Sequence, residues 1–221
     1  MATYRPFICT RFENIIVISL EMAYNTKMKN IFNESPQIMV KQIKEMFEII
    51  IDWETANKYQ LYNSSNEKVG FAAEKTYGIF HRILRNIMRS HRTIHIDIWD
   101  KDNNHVLTGH RPWYFFFSDL NVTDNHNLLL GDIKTRFGFL KRKYDLCDRN
   151  GSVFATIESY RWRLWTFTVF DKMGKEVGVI SKKWGGLVKE VFTDSDQFTV
   201  DYSKFPWTDE QKAILLFACL S

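Results

Sequence analysis

The chain has 221 residues, of which 45% are hydrophobic and 15% are aromatic, with a formal net charge of +4. This length and hydrophobic content are sufficient for one folded domain with a hydrophobic core. They exclude the class of peptides that are too short to form such a core. The mild basic excess permits contact with phosphate-bearing surfaces but does not require it.

The first 36 residues fit no regular pattern, and we interpret residues 1–36 as a poorly specified N-terminal extension. Their apolar stretch, residues 15–20, is too short for a signal peptide or a spanning helix, and Glu13 and Glu21 flank it. The three cysteines of the chain are widely spaced, which favours reduced thiols. We therefore expect a protein that is not secreted and that faces the cytoplasm.

Repeated strand–turn–strand units follow, and they predict antiparallel hairpins. In the third unit, Asn150-Gly151 predicts a type I′ turn, in which both central residues have positive φ. A fifth alternating run, residues 198–202, follows an Asp-rich turn. Hairpins in series predict a meander that closes into a barrel or stacks as a sandwich, and periodicity does not separate these two folds. The four units begin at Lys58, Ile94, Arg142 and Thr166.

The C-terminus predicts a helix over residues 208–221. Thr208 and Gln211 have the spacing of a capping box, and the run from Ala213 to Leu220 is apolar on every side. Because this run is too short to span a bilayer, we expect it to lie inside the barrel. The domain would then cover residues 37–221, with these core side chains on the helix: Ile214, Leu215, Phe217 and Leu220.

Two segments have the composition of lipid-facing surfaces. Residues 78–92 combine apolar residues at helical spacing with arginines, which is typical of a helix in a lipid interface or of a helix with a solvated basic face. Residues 113–117 are all aromatic, and alternate members of a barrel strand face outward, towards lipid or the N-terminal extension. The candidate contacts for lipid or phosphate are Arg82, Arg85, Arg89, Arg92, Trp113, Tyr114 and Phe116.

The chain resembles the phospholipid scramblase family in several ordered blocks. IDWETANKYQLYNSSNEKVGFAAEK (residues 51–75) and VGVISKKWGGLVKEVFTDSDQFTVDY (residues 177–202) carry the likeness, with GHRPW, LLLGDI and KRKYDLCDRNG between them. The resemblance implies a tubby-like, twelve-stranded antiparallel barrel around a hydrophobic C-terminal helix. It also implies ATP-independent, calcium-stimulated movement of phospholipids between leaflets, without covalent chemistry, at a plasma or mitochondrial membrane that contains anionic lipids.

The resemblance places a calcium site in the Asp-rich segment. Asp194 and Asp196 would supply side-chain oxygens, and Phe198, Val200 and Tyr202 would supply backbone oxygens. A standard EF-hand loop has Gly at its sixth position and Glu at its twelfth, where this segment has Thr and Phe. We therefore expect a weak calcium site, or an Asx-type turn that binds no calcium.

Other functions have less support in the sequence. The six histidines show no metal-ligand spacing, and no nucleophile elbow or P-loop motif is present, so no enzyme activity is predicted. A membrane-tethered barrel that binds phosphoinositides or nucleic acid without scrambling is the alternative. Residues 82–92 and 141–143 would then contact phosphates.

Overall fold

The structure is a computed structural model that describes residues 28–32, 35–43, 55–75, 93–163, 165–182 and 197–221. Each strand pairs antiparallel with the next, and the last pairs with the first, so that the sheet closes into a barrel. This confirms the expected twelve-stranded barrel and rules out the sandwich. Residues 28–32 are helical. The other elements are β1 (Gln37–Ile43), β2 (Thr55–Tyr62), β3 (Lys68–Lys75), β4 (Ile94–Asp100), β5 (His105–Arg111), β6 (Asp119–Asp124), β7 (Leu129–Arg136), β8 (Lys141–Asp148), β9 (Val153–Tyr160), β10 (Thr166–Asp171), β11 (Glu176–Lys182), β12 (Gln197–Asp201) and the C-terminal helix (Asp209–Leu220).

Alternation along the strands determines which side chains enter the barrel. On β4 the isoleucines at positions 94, 96 and 98 are buried. On β6, Leu120 and Val122 are buried and alternate with the exposed residues Asp119 and Asn121. Successive side chains of a strand point to opposite faces, so one face supplies the apolar lining. The four predicted hairpins are present, and β6 and β7 form a further hairpin.

Five hairpins close with the same turn. In the β8–β9 turn, Asp148 Oδ1 accepts hydrogen bonds from the backbone N–H groups of Asn150 and Ser152, at 2.9 and 3.0 Å. Gly151 has φ +77°, whereas Asn150 has no positive φ. The predicted type I′ turn is therefore wrong: a three-residue loop needs one left-handed residue after a type I turn. The equivalent turns are 63–67, 100–104, 124–128 and 171–175.

The C-terminal helix fills the barrel. Thr208 and Gln211 form the predicted capping box, with N···O distances of 3.1 and 3.3 Å. Two glycines on the strands make room for the helix, since a Cβ at Gly109 would lie 2.4 Å from the Phe217 ring and one at Gly131 would lie 2.6 Å from Ile214. The helix side chains named above as core are all buried: Ile214 (1% exposed), Leu215 (1%), Phe217 (0%) and Leu220 (8%).

Part of the N-terminal extension packs against the barrel. Met28, Ile31 and Phe32 are fully buried, and the Phe32 ring meets the Tyr202 ring edge-on at 6.3 Å. Residues 28–32 thus contribute to the core, although they precede the predicted domain boundary at residue 37. Residues 1–27 lie outside the described part of the chain.

Candidate functional site

Strand alternation separates the loops into two sets at opposite ends of the barrel. The five tight turns lie at one end, which we call the tight-turn end. The β5–β6, β7–β8 and β9–β10 loops lie at the other end, which we call the aromatic end, and they comprise residues 112–118, 137–140 and 161–165. Residue 164 of the third loop is outside the described residues. The C-terminal helix starts beside the tight-turn end and runs towards the aromatic end.

Exposed apolar side chains concentrate at the aromatic end. Phe116, Phe137 and Phe139 are 78%, 80% and 82% exposed. Ten of the thirteen large apolar side chains that are exposed in the described ranges lie here, and the remaining three are at or near the tight-turn end. An apolar surface of this kind on a folded domain marks an interaction site. The ten are Trp113, Phe115, Phe116, Phe117, Phe137, Phe139, Leu140, Tyr160, Trp162 and Trp165.

Hydrogen bonds from the Arg161 side chain to backbone carbonyls position two of these loops against each other. Arg161 donates from Nε to the Phe139 carbonyl at 2.9 Å and from Nη2 to the Gly138 carbonyl at 3.0 Å. Gly138 is required for the tight bend of the β7–β8 loop itself, because a Cβ there would lie 2.2 Å from the Lys141 carbonyl oxygen. The buried Ser159 hydroxyl lies 2.9 and 2.8 Å from the carbonyls of Arg163 and Thr166. These hydrogen bonds connect the 137–140 and 161–165 loops, which carry exposed rings, to each other and to β9.

Cations lie among the rings. Lys182 Nζ is 4.3 Å from the centroid of Trp165, Lys141 Nζ is 4.8 Å from that of Tyr160, and the Arg111 guanidinium is 5.3 Å from that of Tyr114. Aromatic rings attract cations through their negative faces. The aromatic end thus combines apolar side chains with positive charge.

One carboxylate is shared by two of the lysines near the aromatic end. Glu158 accepts from Lys141 at 2.6 Å and from Lys143 at 2.9 Å. These hydrogen bonds lower the pKa of Glu158, and the same contact raises the pKa of Lys141. Two cations against one anion leave a net positive charge on this part of the surface.

The tight-turn end has a different chemistry. Asp100, Asp124, Asp148 and Asp171 occupy the first position of their turns, where the carboxylates accept backbone hydrogen bonds. The three exposed large apolar side chains on this side, among the described residues, are separate from one another in sequence: Leu128, Met173 and Phe205. The two ends of the barrel therefore differ in apolar exposure.

A cavity of about 90 Å³ opens inside the barrel where the C-terminal helix ends. The residues that line it come from the ends of strands beside the aromatic loops and from the last turn of the helix. They are Arg111, Ser118, Leu120, Ile133, Thr135, Tyr144, Ile157, Phe167, Ile180, Ala218 and Ser221.

The predicted aromatic contacts lie at this end, but in a loop. β5 ends at Arg111 and β6 begins at Asp119, so the expectation of a strand with alternate rings facing outward is wrong. Residues 113–117 are outside any strand, so their side chains do not alternate between two faces. Phe115 and Phe117 are therefore exposed (65% and 56%) in addition to Trp113 (50%) and Phe116. Tyr114 is only partly exposed, beneath Arg111.

The predicted arginines Arg82, Arg85, Arg89 and Arg92 lie outside the described residues. The strand ends on either side of them, Lys75 of β3 and Ile94 of β4, are at the aromatic end. Their contact with lipid or phosphate stays a prediction.

The described part of the predicted calcium segment does not form a loop. Asp194 and Asp196 are outside the described residues, whereas Phe198 and Val200 belong to β12, which pairs with β1 and β11 on its two sides. The Tyr202 N–H donates to the Pro36 carbonyl at 2.7 Å, and its side chain is buried. Strand pairing uses the backbone groups of Phe198 and Val200, so these two residues do not fit the predicted ligand set, and the Tyr202 carbonyl stays a prediction.

Sequence reasoning missed the other two aromatic loops. Phe137, Phe139 and Leu140 come from RFGFLKRK, and Trp162 and Trp165 come from YRWRLW. Both segments interleave aromatic and basic residues between strands, which is the signal that would have identified them.

In the described ranges, no helix has the length and hydropathy needed to cross a bilayer.

Several known proteins are similar to this chain. Altered inheritance rate of mitochondria protein 25 of Saccharomyces cerevisiae is 25% identical over 195 residues, which cover 78% of this chain and 59% of that protein. Phospholipid scramblase family protein C343.06c of Schizosaccharomyces pombe is 24% identical, with 75% and 46% covered. Phospholipid scramblase 2 of Bos taurus is 26% identical, with 83% and 65% covered. The chain therefore spans about half to two thirds of these relatives' lengths.

An X-ray structure of an Arabidopsis thaliana protein aligns with 84% of this chain and 93% of its own, at a TM-score of 0.44 and 10% identity. A family model described as Scramblase matches residues 17–221. That match covers nearly the whole chain, including the barrel, the aromatic loops and the C-terminal helix, and the chain therefore belongs to the scramblase family.

Proposed function

We propose that this protein binds phospholipid membranes through the aromatic end of its barrel and moves phospholipids between the two leaflets. The observation that carries the proposal is the concentration of exposed rings and cations at that end. Several relatives are named phospholipid scramblases, which supports lipid movement as the activity.

The chemistry of the aromatic end suits a lipid interface. Tryptophan and tyrosine favour the headgroup region, and burial of one phenylalanine side chain contributes about 1.5–3 kcal/mol. Each Lys or Arg near an anionic surface adds about 1 kcal/mol, so Lys141, Lys143 and Arg161 would favour anionic lipids. Phe116, Phe137 and Phe139 together would supply a stable attachment without a spanning helix.

We further propose that lipid movement needs no ATP and is stimulated by calcium. The sequence has no P-loop that would bind nucleotide phosphates. The calcium part rests on Asp194 and Asp196, whose carboxylates are hard oxygen ligands. The protein would act at the cytoplasmic face of a plasma or mitochondrial membrane.

Leaflet exchange in vesicles tests this function. The protein is reconstituted with fluorescent phospholipid, and dithionite bleaches the outer leaflet, so scrambling appears as bleaching beyond one half. We expect exchange without ATP, and a reduction of at least fivefold in the variant Phe137→Ser, Phe139→Ser, Trp162→Ser. The control Leu128→Ser, Met173→Ser carries similar changes at the tight-turn end and should keep the wild-type rate.

Calcium dependence needs its own comparison. The exchange rate of the wild type should rise with millimolar calcium, and Asp194→Ala with Asp196→Ala should remove that rise but keep the basal rate. A rise that survives both substitutions would place the calcium effect elsewhere.

Vesicle flotation separates scrambling from simple binding. If the wild type floats with anionic vesicles but exchange stays at background, the barrel binds lipid without moving it. If flotation fails and a DNA fragment is retarded in a salt-dependent way, the nucleic-acid alternative replaces the proposal.

A further inference from the structure

The cavity at the end of the C-terminal helix lies within the barrel, directly beside the aromatic loops. Arg111 is the last residue of β5 and Ser118 is the last residue of the 112–118 loop, so both lie beside that loop's ends. Ala218 and Ser221, at the end of the helix, line it as well. The mouth of the cavity therefore faces the same side of the molecule as the exposed rings.

The inner lining of the cavity is hydrocarbon. Leu120, Ile133, Ile157 and Ile180 are buried side chains of four different strands, and they converge on this space. The volume of about 90 Å³ is several times the minimum of roughly 10–15 Å³ that one water molecule needs. The cavity has room for a short piece of an alkyl chain, but not for a whole lipid.

Two of the hydroxyl groups in the lining, those of Ser118 and Thr135, are already hydrogen-bonded to the wall. Ser118 Oγ lies 2.9 Å from Thr135 Oγ1, and Thr135 Oγ1 donates to the Ser118 carbonyl at 2.9 Å. The two hydroxyls thus hydrogen-bond within the wall. The polar side chains of Arg111, Tyr144 and Ser221 also line the cavity, whereas the part enclosed by the aliphatic side chains holds water poorly and favours an apolar occupant.

The cavity exists because the helix ends with a small side chain on this side. Ala218 faces the space, whereas Phe217 and Ile214, further back on the helix, fill the barrel against Gly109 and Gly131. At the mouth, Arg111 stands over the Tyr114 ring and provides a positive charge. An apolar interior below a cationic mouth is complementary to an alkyl chain joined to a phosphate.

We propose that the cavity receives the terminal carbons of a phospholipid acyl chain that leaves the bilayer through the mouth, with the lipid phosphate near Arg111. This inference rests on the proposed function, since it needs the aromatic end at the membrane. Entry of the acyl chain would be one step of lipid movement, because a phospholipid with one chain in the barrel is partly detached from its leaflet.

Photo-cross-linking locates the chain end. Wild-type protein is bound to phosphatidylcholine vesicles with 20% phosphatidylserine, in which a fraction of the lipid carries a diazirine at the terminal acyl carbon. We expect peptide mapping to find adducts on the apolar lining, at Leu120, Ile133, Phe167 or Ile180. A diazirine on the headgroup should instead label the aromatic loops.

A substitution at Ala218 provides the matched test. Ala218→Phe should fill the cavity and reduce the lining adducts at least tenfold, while vesicle flotation stays within twofold of wild type. Ser152→Phe adds the same ring at the exposed tight-turn end and should change neither. If Ala218→Phe does not fold, the smaller substitution Ala218→Leu replaces it. The positions of the wild-type adducts then still show whether the acyl chain enters the cavity.

The outcomes distinguish the two proposals. Terminal-carbon adducts confined to residues 113–117 or 137–140, with flotation intact, would overturn the cavity and leave membrane binding standing. Absence of wild-type flotation would overturn the proposed function, and the cavity inference with it.

Discussion

Asp97 is a buried carboxylate on the outward face of β4, surrounded by donors. Lys75 Nζ lies 2.8 Å from Oδ2, the Thr108 hydroxyl donates to Oδ1 at 2.7 Å, and His95 and His105 each have Nε2 at 3.3 Å from Oδ1. Burial alone would raise the pKa of Asp97, but hydrogen bonds with His105, His95 and Lys75 lower it well below its usual range. The carboxylate therefore links β3, β4 and β5 while it is ionised.

Asp97→Asn tests this link. Because the folded pKa lies below the unfolded value of about 3.9, the ionised group stabilises the fold above that value, and its contribution is lost as the pH falls through the folded pKa. We expect the variant to lose about 1.5–3 kcal/mol of unfolding free energy at pH 7, and less than that below about pH 4. Urea unfolding at the two pH values measures both.

The control for Asp97 is Asp119→Asn, which removes an exposed carboxylate at the start of β6. It should change the unfolding free energy little at either pH. An equal loss for Asp97→Asn at pH 7 and at low pH would show that the charge is not what stabilises these strands.

Turn chemistry is the clearest case of sequence determining an element. Each of the five turns at the tight-turn end begins with Asp or Asn and places Asn or Gly at the left-handed position: Asn66, Asn103, Asn127, Gly151 and Gly174. Asparagine tolerates this backbone better than other side chains do, and glycine has no Cβ to clash.

Gly151→Ala should destabilise the protein by about 1 kcal/mol. The φ of Gly151 is +77° and no atom lies within 4 Å of an added Cβ, so the backbone alone carries the cost. Thermal unfolding measures the loss. Asn103→Gly, at the equivalent position, should leave the midpoint unchanged or raise it slightly. A Gly151→Ala protein as stable as wild type would contradict the turn geometry.

The hairpins are predictable where alternating strands flank a polar turn, with or without glycine, since the 63–67 and 100–104 turns contain none. The β6–β7 hairpin is not predicted, because the three consecutive leucines at positions 128–130 do not alternate with polar residues. Asn150-Gly151 correctly predicts the β8–β9 hairpin but not the type of its turn, because a dipeptide does not reveal whether the loop has two residues or three. Residues 113–117 were assigned to a strand since aromatic residues favour strands.

The architecture of the molecule follows from the fit between the barrel and its helix. Gly109 and Gly131 are interior glycines on neighbouring parts of the sheet, and the helix occupies the space that their side chains would fill. The hairpin periodicity of the sequence is compatible with either a barrel or a sandwich. The closed barrel is predicted from the family resemblance. An isolated glycine in a strand indicates a close approach but does not name its partner.

A double-mutant cycle tests the fit of helix and barrel. Gly109→Ala should cost about 1–3 kcal/mol, since the new methyl group meets the Phe217 ring. Phe217→Leu removes part of that ring and should also destabilise alone. The double variant should lose less than the two single losses added together, as unfolding in denaturant would show. Strictly additive losses would mean that the two residues are not in contact.

The aromatic end could not be predicted as a unit. Its rings come from residues 113–117, 137–140 and 160–165, which are separate in sequence. Strand alternation brings every second loop to the same end, and this requires the number and direction of all the intervening strands. Only the first segment is predicted from the sequence, by its uninterrupted aromatic run.

The most direct test of the account places an environment-sensitive fluorophore at either end of the barrel. In a Cys9→Ser, Cys219→Ser background, where the remaining native thiol of Cys147 is buried, Phe139→Cys and Met173→Cys each receive the label; both native side chains are exposed, by 82% and 94%. With anionic phospholipid vesicles, the label at position 139 should shift to the blue and be quenched by spin-labelled lipid, while the label at position 173 stays in water. Quenching at position 173, or at neither position despite flotation, would contradict a membrane-bound aromatic end.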